Sequence, residues 1–108
     1  MPSLPKSFTA FLAAYPDVGS AYRELSEAVS AAGPLDDKMQ ALVKLGIALG
    51  AGLEGGTRSQ ARKALDAGAT PDELRHAVLQ ATTTIGFPSM MRGMSWIEEV
   101  LRAAESCP

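Results

Sequence analysis

Apolar residues recur at helical spacing along the first half of the chain. In one stretch they follow one another at intervals of four, three and four residues, which places them on one face of an α-helix. This stretch contains Val18, Tyr22, Leu25 and Val29. Pro16 suits the first position of that helix, and Gly33-Pro34 is expected to end it. A shorter helix over Phe8 to Tyr15, capped by Ser7, is predicted before it.

A third helix is predicted to start at Asp36 or Asp37 and to occupy the centre of the fold. One side of it is predicted to consist of Met39, Leu42, Val43, Gly46, Ile47 and Gly50. The two glycines would allow another backbone to approach closely. Gly55-Gly56 is expected to break the chain, and Thr57 is the predicted cap of a fourth helix that Gly68 closes.

The clearest start of a helix is the run Thr70-Pro71-Asp72-Glu73, which offers a capping hydroxyl, a proline at the first helical position and a glutamate able to reach back to the cap. We predict a fifth helix from there to Gly86, since this start outweighs the local preference of Thr82-Thr83-Thr84-Ile85 for a strand. Ser89 is expected to cap a last helix after Gly86-Phe87-Pro88. Its inner stripe is predicted to be Met90, Met94, Ile97 and Leu101.

These six helices with short connections predict an all-α bundle that forms a single domain over residues 1–108. With 108 residues and 46% hydrophobic content, the chain is large enough for one core. A chain this short leaves roughly a third of its unfolded-state surface exposed after folding. We therefore expect part of the apolar surface to be covered by other copies of the chain.

Charge and cysteine content narrow the possible partners. The formal net charge is -2 with both signs scattered, so no basic surface is expected to bind nucleic acid. The longest nearly apolar stretch, Met39 to Leu53, is too short for a membrane span and contains Lys44. No signal peptide is visible, and the single cysteine, Cys107, forms no internal disulfide, which suits a reducing cytoplasm. One histidine offers no pair for a metal site, and no cofactor is expected.

The ordered set of motifs in the second half resembles the carboxymuconolactone decarboxylase family, which includes the AhpD-like alkylhydroperoxidases. The resemblance rests on Ala64-Leu65, on the run from Gly68 to Leu74, on Val78-Leu79-Gln80 and on Gly86-Phe87-Pro88. It extends roughly from Asp36 to Leu101. It implies an all-α fold that assembles as homotrimers or homohexamers, with the site near subunit contacts.

The resemblance also implies which positions carried the chemistry. The peroxidase branch has two cysteines and a histidine at positions that correspond here to Leu53, Gly56 and Gln60. Leucine and glycine cannot replace a redox thiol pair, so thiol peroxidase activity is not expected. The histidine alone persists in the decarboxylase branch. Glutamine in its place can orient a ligand through hydrogen bonds but cannot act as a general base.

Other residues have to supply acid, base or charge if the protein is a catalyst. Glu54 and His76 are the candidate proton donors or acceptors, with Gln60 as a positioning residue. Arg58 and Lys44 are candidates for binding a carboxylate of the substrate. Each also has a simpler explanation. Glu54 would be a solvated loop acid, His76 a surface or interface histidine and Gln60 a surface amide. Arg58 would belong to a helix ion pair, and Lys44 would be a snorkelling surface lysine.

Two functions from different classes follow. One is a homo-oligomeric small-molecule-binding module or a catalytically silent relative that keeps the fold for assembly, with a small organic acid as the candidate ligand. The other is a cofactor-independent enzyme that acts by proton transfer on a small organic acid or lactone, a substrate class implied only by the resemblance. Whether Glu54, Gln60 and Arg58 converge on one cavity distinguishes the two.

Overall fold

Helices account for nearly all of the chain in the computed structural model, which describes residues 6–106. The elements are α1 (Lys6–Ala14), α2 (Pro16–Ala31), α3 (Asp37–Gly50), α4 (Glu54–Asp66), α5 (Pro71–Leu79), a short 3-10 helix (Gln80–Thr83) and α6 (Phe87–Ser106). No strand occurs among these residues, so the predicted all-α fold with six helices is confirmed. Cys107 lies outside the described residues.

Two of the helix starts form as the sequence predicts. Asp36 caps α3, since its Oδ1 accepts a hydrogen bond of 2.8 Å from the amide of Met39. Thr70 and Glu73 form a complete capping box at the start of α5. The amide of Glu73 donates to the Thr70 hydroxyl at 3.1 Å, and the Glu73 carboxylate accepts from the Thr70 amide at 2.9 Å. Both starts satisfy amides that have no partner inside the helix.

The predicted start of α4 is wrong by a few residues. The helix begins at Glu54, with Leu53 as its cap residue, so Gly55-Gly56 lies inside the first turn and does not break the chain. Thr57 is fully buried, and its hydroxyl donates to the carbonyl of Leu53 at 2.7 Å instead of capping the helix. The turn is made earlier, at Gly52, whose φ of 72° places it in the left-handed region that glycine adopts readily.

The segment between α5 and α6 also differs from the prediction. The fifth α-helix ends at Leu79 and continues as the 3-10 helix, while α6 starts at Phe87, ahead of the predicted cap Ser89. The amides of Ile85 and Gly86 both donate to the carbonyl of Ala81, and Gly86 has a φ of 106°. The α-helix therefore ends at Leu79, earlier than predicted, and the left-handed Gly86 lies at the residue where the prediction ended the helix.

The chain divides into two compact units, Met1–Leu35 and Asp36–Pro108. In the first unit α1 packs against α2, where Gly19 is buried because the Leu12 side chain lies over it. The predicted apolar face of α2 is present, but its side chains are exposed to solvent. These are Val18, Tyr22, Leu25 and Val29.

The second unit contains the hydrophobic core. Its helix pairs are α3 with α4, and α6 with both α4 and α5. The largest fully buried side chains belong to Leu45, Leu49, Leu74, Ile97 and Val78. The inner stripe of α6 is confirmed, with Met90, Ile97 and Leu101 buried and Met94 packed against the core.

The core-facing side of α3 differs from the one that the apolar pattern indicates, although Leu42 of the predicted side packs against the core. Ala41, Leu45, Ala48 and Leu49 are buried. The predicted side is largely exposed: Ile47 is 66% exposed and Val43 is 50% exposed, and a Cβ built on Gly46 or Gly50 meets no atom within 4 Å. Helix α3 therefore carries two stripes. The inner stripe consists of alanines and leucines. The outer apolar stripe consists of Met39, Val43, Gly46, Ile47 and Gly50.

No helix within residues 6–106 is long and apolar enough to cross a membrane.

Candidate functional site

The candidate site begins at the turn between α3 and α4, which residues 51–53 form. The amide of Gly52 donates to the carbonyl of Leu49, and the amide of Leu53 donates to the carbonyl of Ala48, both at 2.9 Å. These bonds satisfy carbonyls at the end of α3 and fix Leu53 as the residue from which α4 starts. This three-residue connection and the packing of α3 against α4 make the two helices a helical hairpin.

The three positions that the resemblance singles out share one side of α4. A Cβ built on Gly56 would lie 3.3 Å from the Leu53 Cβ and 3.5 Å from the Ala48 Cβ, so Gly56 faces α3 at close range. Gln60 follows Gly56 by four residues, which places it on the same side, one turn further along α4. Leu53, Gly56 and Gln60 therefore form one surface along the α3 side of the hairpin, which we term the hairpin face.

Gln60 has an unusual environment on this face. Its side chain is half-buried, and its Oε1 atom is inaccessible to solvent and has no hydrogen-bond partner among residues 6–106. A buried acceptor without a partner costs about 1 to 3 kcal/mol, because it loses its hydrogen bonds to water without replacement. Such atoms are rare in folded proteins and call for an explanation.

Lys44 lies on the facing helix. It precedes Ala48, the α3 residue that lies against the Gly56 position, by one turn. Lys44 is half-buried, and it forms no ion pair with any other residue of the described chain. Helix α3 therefore carries a half-buried cation that has no carboxylate partner among residues 6–106.

Arg58 and Glu54 lie elsewhere on α4. Arg58 precedes Gln60 by two residues, so the two side chains are separated by a rotation of roughly 200° about the axis of α4. The Arg58 side chain points towards α6. Its guanidinium pairs with Glu54 at 3.1 Å and with Glu99 of α6. Glu99 and Glu54 raise the pKa of Arg58, and Arg58 in turn holds the pKa of Glu99 below its usual range. Two carboxylates thus already occupy the predicted substrate anchor.

His76 stands apart from both groups. It is exposed on α5, and its described hydrogen bond is made by its backbone carbonyl, which accepts from Gln80 Nε2 at 3.3 Å. The five candidate residues therefore do not form one group. Gln60 belongs to the hairpin face, Lys44 lies on α3, Glu54 and Arg58 belong to an ion-pair cluster with α6, and His76 lies on α5.

Two residues beside these groups were not singled out from the sequence. Glu99 could not be found by spacing, since it is 41 residues from Arg58 and meets it only through the packing of α6 on α4. Arg92 lies over the ring of Trp96, 5.2 Å from its centroid, and its Nη2 comes within 3.6 Å of a Cβ built on Gly52. The four-residue spacing of Arg92 and Trp96 on a helix is a local signal that would have indicated this pair. Arg92 adds positive charge at the C-terminal end of α3, where it is favourable.

No group of side chains within residues 6–106 is arranged to hold a metal ion. The arrangement on the hairpin face can accept a hydrogen bond and attract an anion, but Leu53, Gly56 and Gln60 contribute no group that titrates near neutral pH.

Comparison with known proteins adds one match. The model of the carboxymuconolactone decarboxylase family matches residues 16–99. This is most of the chain, and it begins earlier than the region from Asp36 on which the sequence resemblance rests. No curated protein and no solved structure matches the chain.

Proposed function

The chain belongs to the carboxymuconolactone decarboxylase family, and we propose that it is a homo-oligomeric member that binds a small organic acid and has no thiol peroxidase activity. The observation that carries this proposal is the composition of the hairpin face. Its three family positions lie together beside α3, yet they hold leucine, glycine and glutamine. This surface keeps groups for binding and none for transferring an electron or a proton.

Binding of an acid is supported by Lys44, which lies on the helix that packs against this face. Lys44 is half-buried and has no carboxylate partner among the described residues. A cation with reduced access to water attracts an anion more strongly than a fully solvated one. A set of small mono- and dicarboxylates should therefore include compounds that raise the melting temperature, because a ligand of the native state stabilises it by mass action.

The control for this screen is Lys44→Met, which keeps the length of the apolar stem and removes the charge. Stabilisation by carboxylates should fall in this variant and should persist in Arg58→Met, because Glu54 and Glu99 already neutralise Arg58. Stabilisation lost in Arg58→Met and unchanged in Lys44→Met would contradict the assignment of the site.

Self-association is supported by the outer apolar stripe of α3. Val43 and Ile47 are at least half exposed, and Gly46 and Gly50 leave the backbone open to close approach on the same side. Exposed apolar stripes of this kind mark contact surfaces. A second copy of the chain is the proposed partner, in a trimer or a hexamer.

Light scattering of Ile47→Glu tests this contact. The variant should dissociate to a smaller species with unchanged helical circular dichroism, since position 47 is not part of the core. Ser95→Glu, which adds the same charge at another exposed position, should leave the assembly intact. A wild-type protein that is monomeric at micromolar concentration would refute the proposed assembly.

The absence of thiol chemistry is tested directly with a dithiol-dependent peroxide reduction assay. We expect no turnover above buffer, because Cys107 is the single cysteine of the sequence and lies far along the chain from the hairpin face. One cysteine per chain also suits a reducing cytoplasm. Robust turnover would show that the redox branch was excluded wrongly.

The alternative function is a cofactor-independent enzyme that moves a proton on a small organic acid or lactone. It requires Glu54 or His76 to act beside Gln60. The carboxylate of Glu54 pairs with Arg58 on another side of α4, and His76 is exposed on α5, so this arrangement favours the binding function.

A further inference from the structure

We propose that helix α2 of one chain docks on the outer apolar stripe of α3 in a second copy, so that each chain offers one surface and receives another. This inference rests on the self-association proposed above and names the element that covers the stripe. The docking surface of α2, termed here the α2 face, consists of Val18, Tyr22, Leu25 and Val29.

The first compact unit leaves its apolar side chains uncovered. Gly19 is the one buried residue within residues 6–35. All side chains of the α2 face are more than half exposed, from 54% for Val18 to 61% for Tyr22 and Leu25. Most of the stability of a helix in a protein comes from the packing of its apolar side. The α2 face therefore requires a partner surface.

No charge interrupts the α2 face. The charged residues of α2 lie roughly 100° or more from the centre of the face by helical spacing. These residues are Asp17, Arg23, Glu24 and Glu27. An uncharged face of large apolar side chains is complementary to another apolar surface, which here means a protein surface of the same character.

The outer apolar stripe of α3 has the matching shape. The α2 face consists of large side chains, whereas Gly46 and Gly50 leave gaps in the stripe, since a Cβ built on either glycine meets no atom within 4 Å. Helices approach closely where large residues on one face small residues on the other. Two α2 faces would place large side chains against large side chains. The gaps therefore favour α3 over a second α2 as the partner surface.

The size of the two surfaces supports the same contact. The stripe exposes three large side chains by 41 to 66%, namely those of Met39, Val43 and Ile47. These alone fall well short of the roughly 800 Å² that each partner contributes to a stable interface. A chain that uses both the stripe and the α2 face contributes more than twice as many large apolar side chains.

A contact between two different surfaces also determines the symmetry of the assembly. Such a contact is heterologous, and its repetition around an axis closes a ring of identical chains. Every chain of the ring then has its α2 face on one neighbour and its stripe covered by the other. A trimer is one such ring, and a hexamer can consist of two.

The experiment compares Leu25→Glu in the α2 face and Ile47→Glu in the stripe with an equimolar mixture of the two, by light scattering at micromolar concentration. Each variant disrupts one surface and keeps the other, so each alone should form a smaller species than wild type. In the mixture, the α2 face of the Ile47→Glu chain can dock on the stripe of the Leu25→Glu chain. The mixture should therefore contain a complex larger than either variant forms alone.

Two further variants control for the substitution itself. Ser20→Glu adds the same charge to α2 at an exposed position on the opposite side of the helix, and its assembly should match that of wild type. Val29→Glu is a second change in the α2 face and should behave as Leu25→Glu does. Circular dichroism should show unchanged helical content in every variant, because all these side chains are exposed.

An unchanged mass of both Leu25→Glu and Val29→Glu would overturn this inference and leave the proposed self-association through α3 standing. A mixture without any complex larger than those of the separate variants would overturn it too, because each surface would then pair with its own copy on the partner. A monomeric wild type would overturn the inference together with the proposed assembly.

Discussion

Replacing Gln60 with methionine should stabilise the protein, although a polar residue is lost from a half-buried position. The Oε1 atom is buried and unpaired, and this costs about 1 to 3 kcal/mol relative to an atom that needs no partner. Methionine has a similar unbranched shape and a similar helix propensity, so it fills the same space at little cost of its own. We expect the free energy of unfolding to rise by about 1 to 2 kcal/mol.

Urea unfolding followed by circular dichroism measures this change, at one fixed protein concentration because self-association contributes to the apparent stability. The melting temperature should rise by about 4 °C or more for each kcal/mol in a domain of this size. Gln80→Met is the matched control. Gln80 is exposed, and its bond to the His76 carbonyl is long at 3.3 Å, so its replacement should change stability by less than about 0.5 kcal/mol.

A loss of stability of about 1 kcal/mol or more in Gln60→Met would refute the reasoning. It would mean that the oxygen has a hydrogen-bond partner in solution.

Two further predictions concern the packing of α6. Arg75 holds the pKa of Glu98 below its ordinary value of 4.5, so the stability from this pair is complete above that pH and is lost as the pH falls below it. In Glu98→Gln, the free energy of unfolding in urea should therefore fall less steeply between pH 6 and pH 3. An unchanged slope would contradict this prediction. Gly93→Ala should destabilise the protein by about 1 to 3 kcal/mol, because its Cβ would lie 2.6 Å from Cδ2 of the buried Leu49. The control Gly55→Ala should stabilise it slightly, because a Cβ at that position meets open space. Equal effects of the two variants in thermal unfolding would refute the contact between Gly93 and Leu49.

Much of the fold could be predicted because its signals are local. The capping box at Thr70, the cap at Asp36 and the stripe of α6 each depend on residues within one or two turns of each other. The start of α4 could not be predicted in the same way. Two glycines usually interrupt a helix, but here the turn at Gly52 and the contact of Gly56 with Ala48 keep them inside it.

The candidate site also combines features that residue type predicts with features that depend on tertiary packing. The sequence identified Gln60 and Lys44 as candidates and excluded a redox thiol pair, because those statements depend on residue type. It could not group the candidates correctly. Arg58 is neutralised by Glu99, a partner 41 residues away that only the packing of two helices brings into contact.

By itself the sequence determined the number and order of the helices, the capping box at Thr70, a start of α3 at Asp36 or Asp37, and the absence of cysteine from positions 53 and 56. Only the tertiary structure decided which of two apolar sides of α3 faces the core, which carboxylates surround Arg58 and why the Gln60 oxygen has no partner. The physical reason is that capping and periodicity act within a few residues, whereas burial and pairing depend on segments that are distant in the chain and adjacent in space.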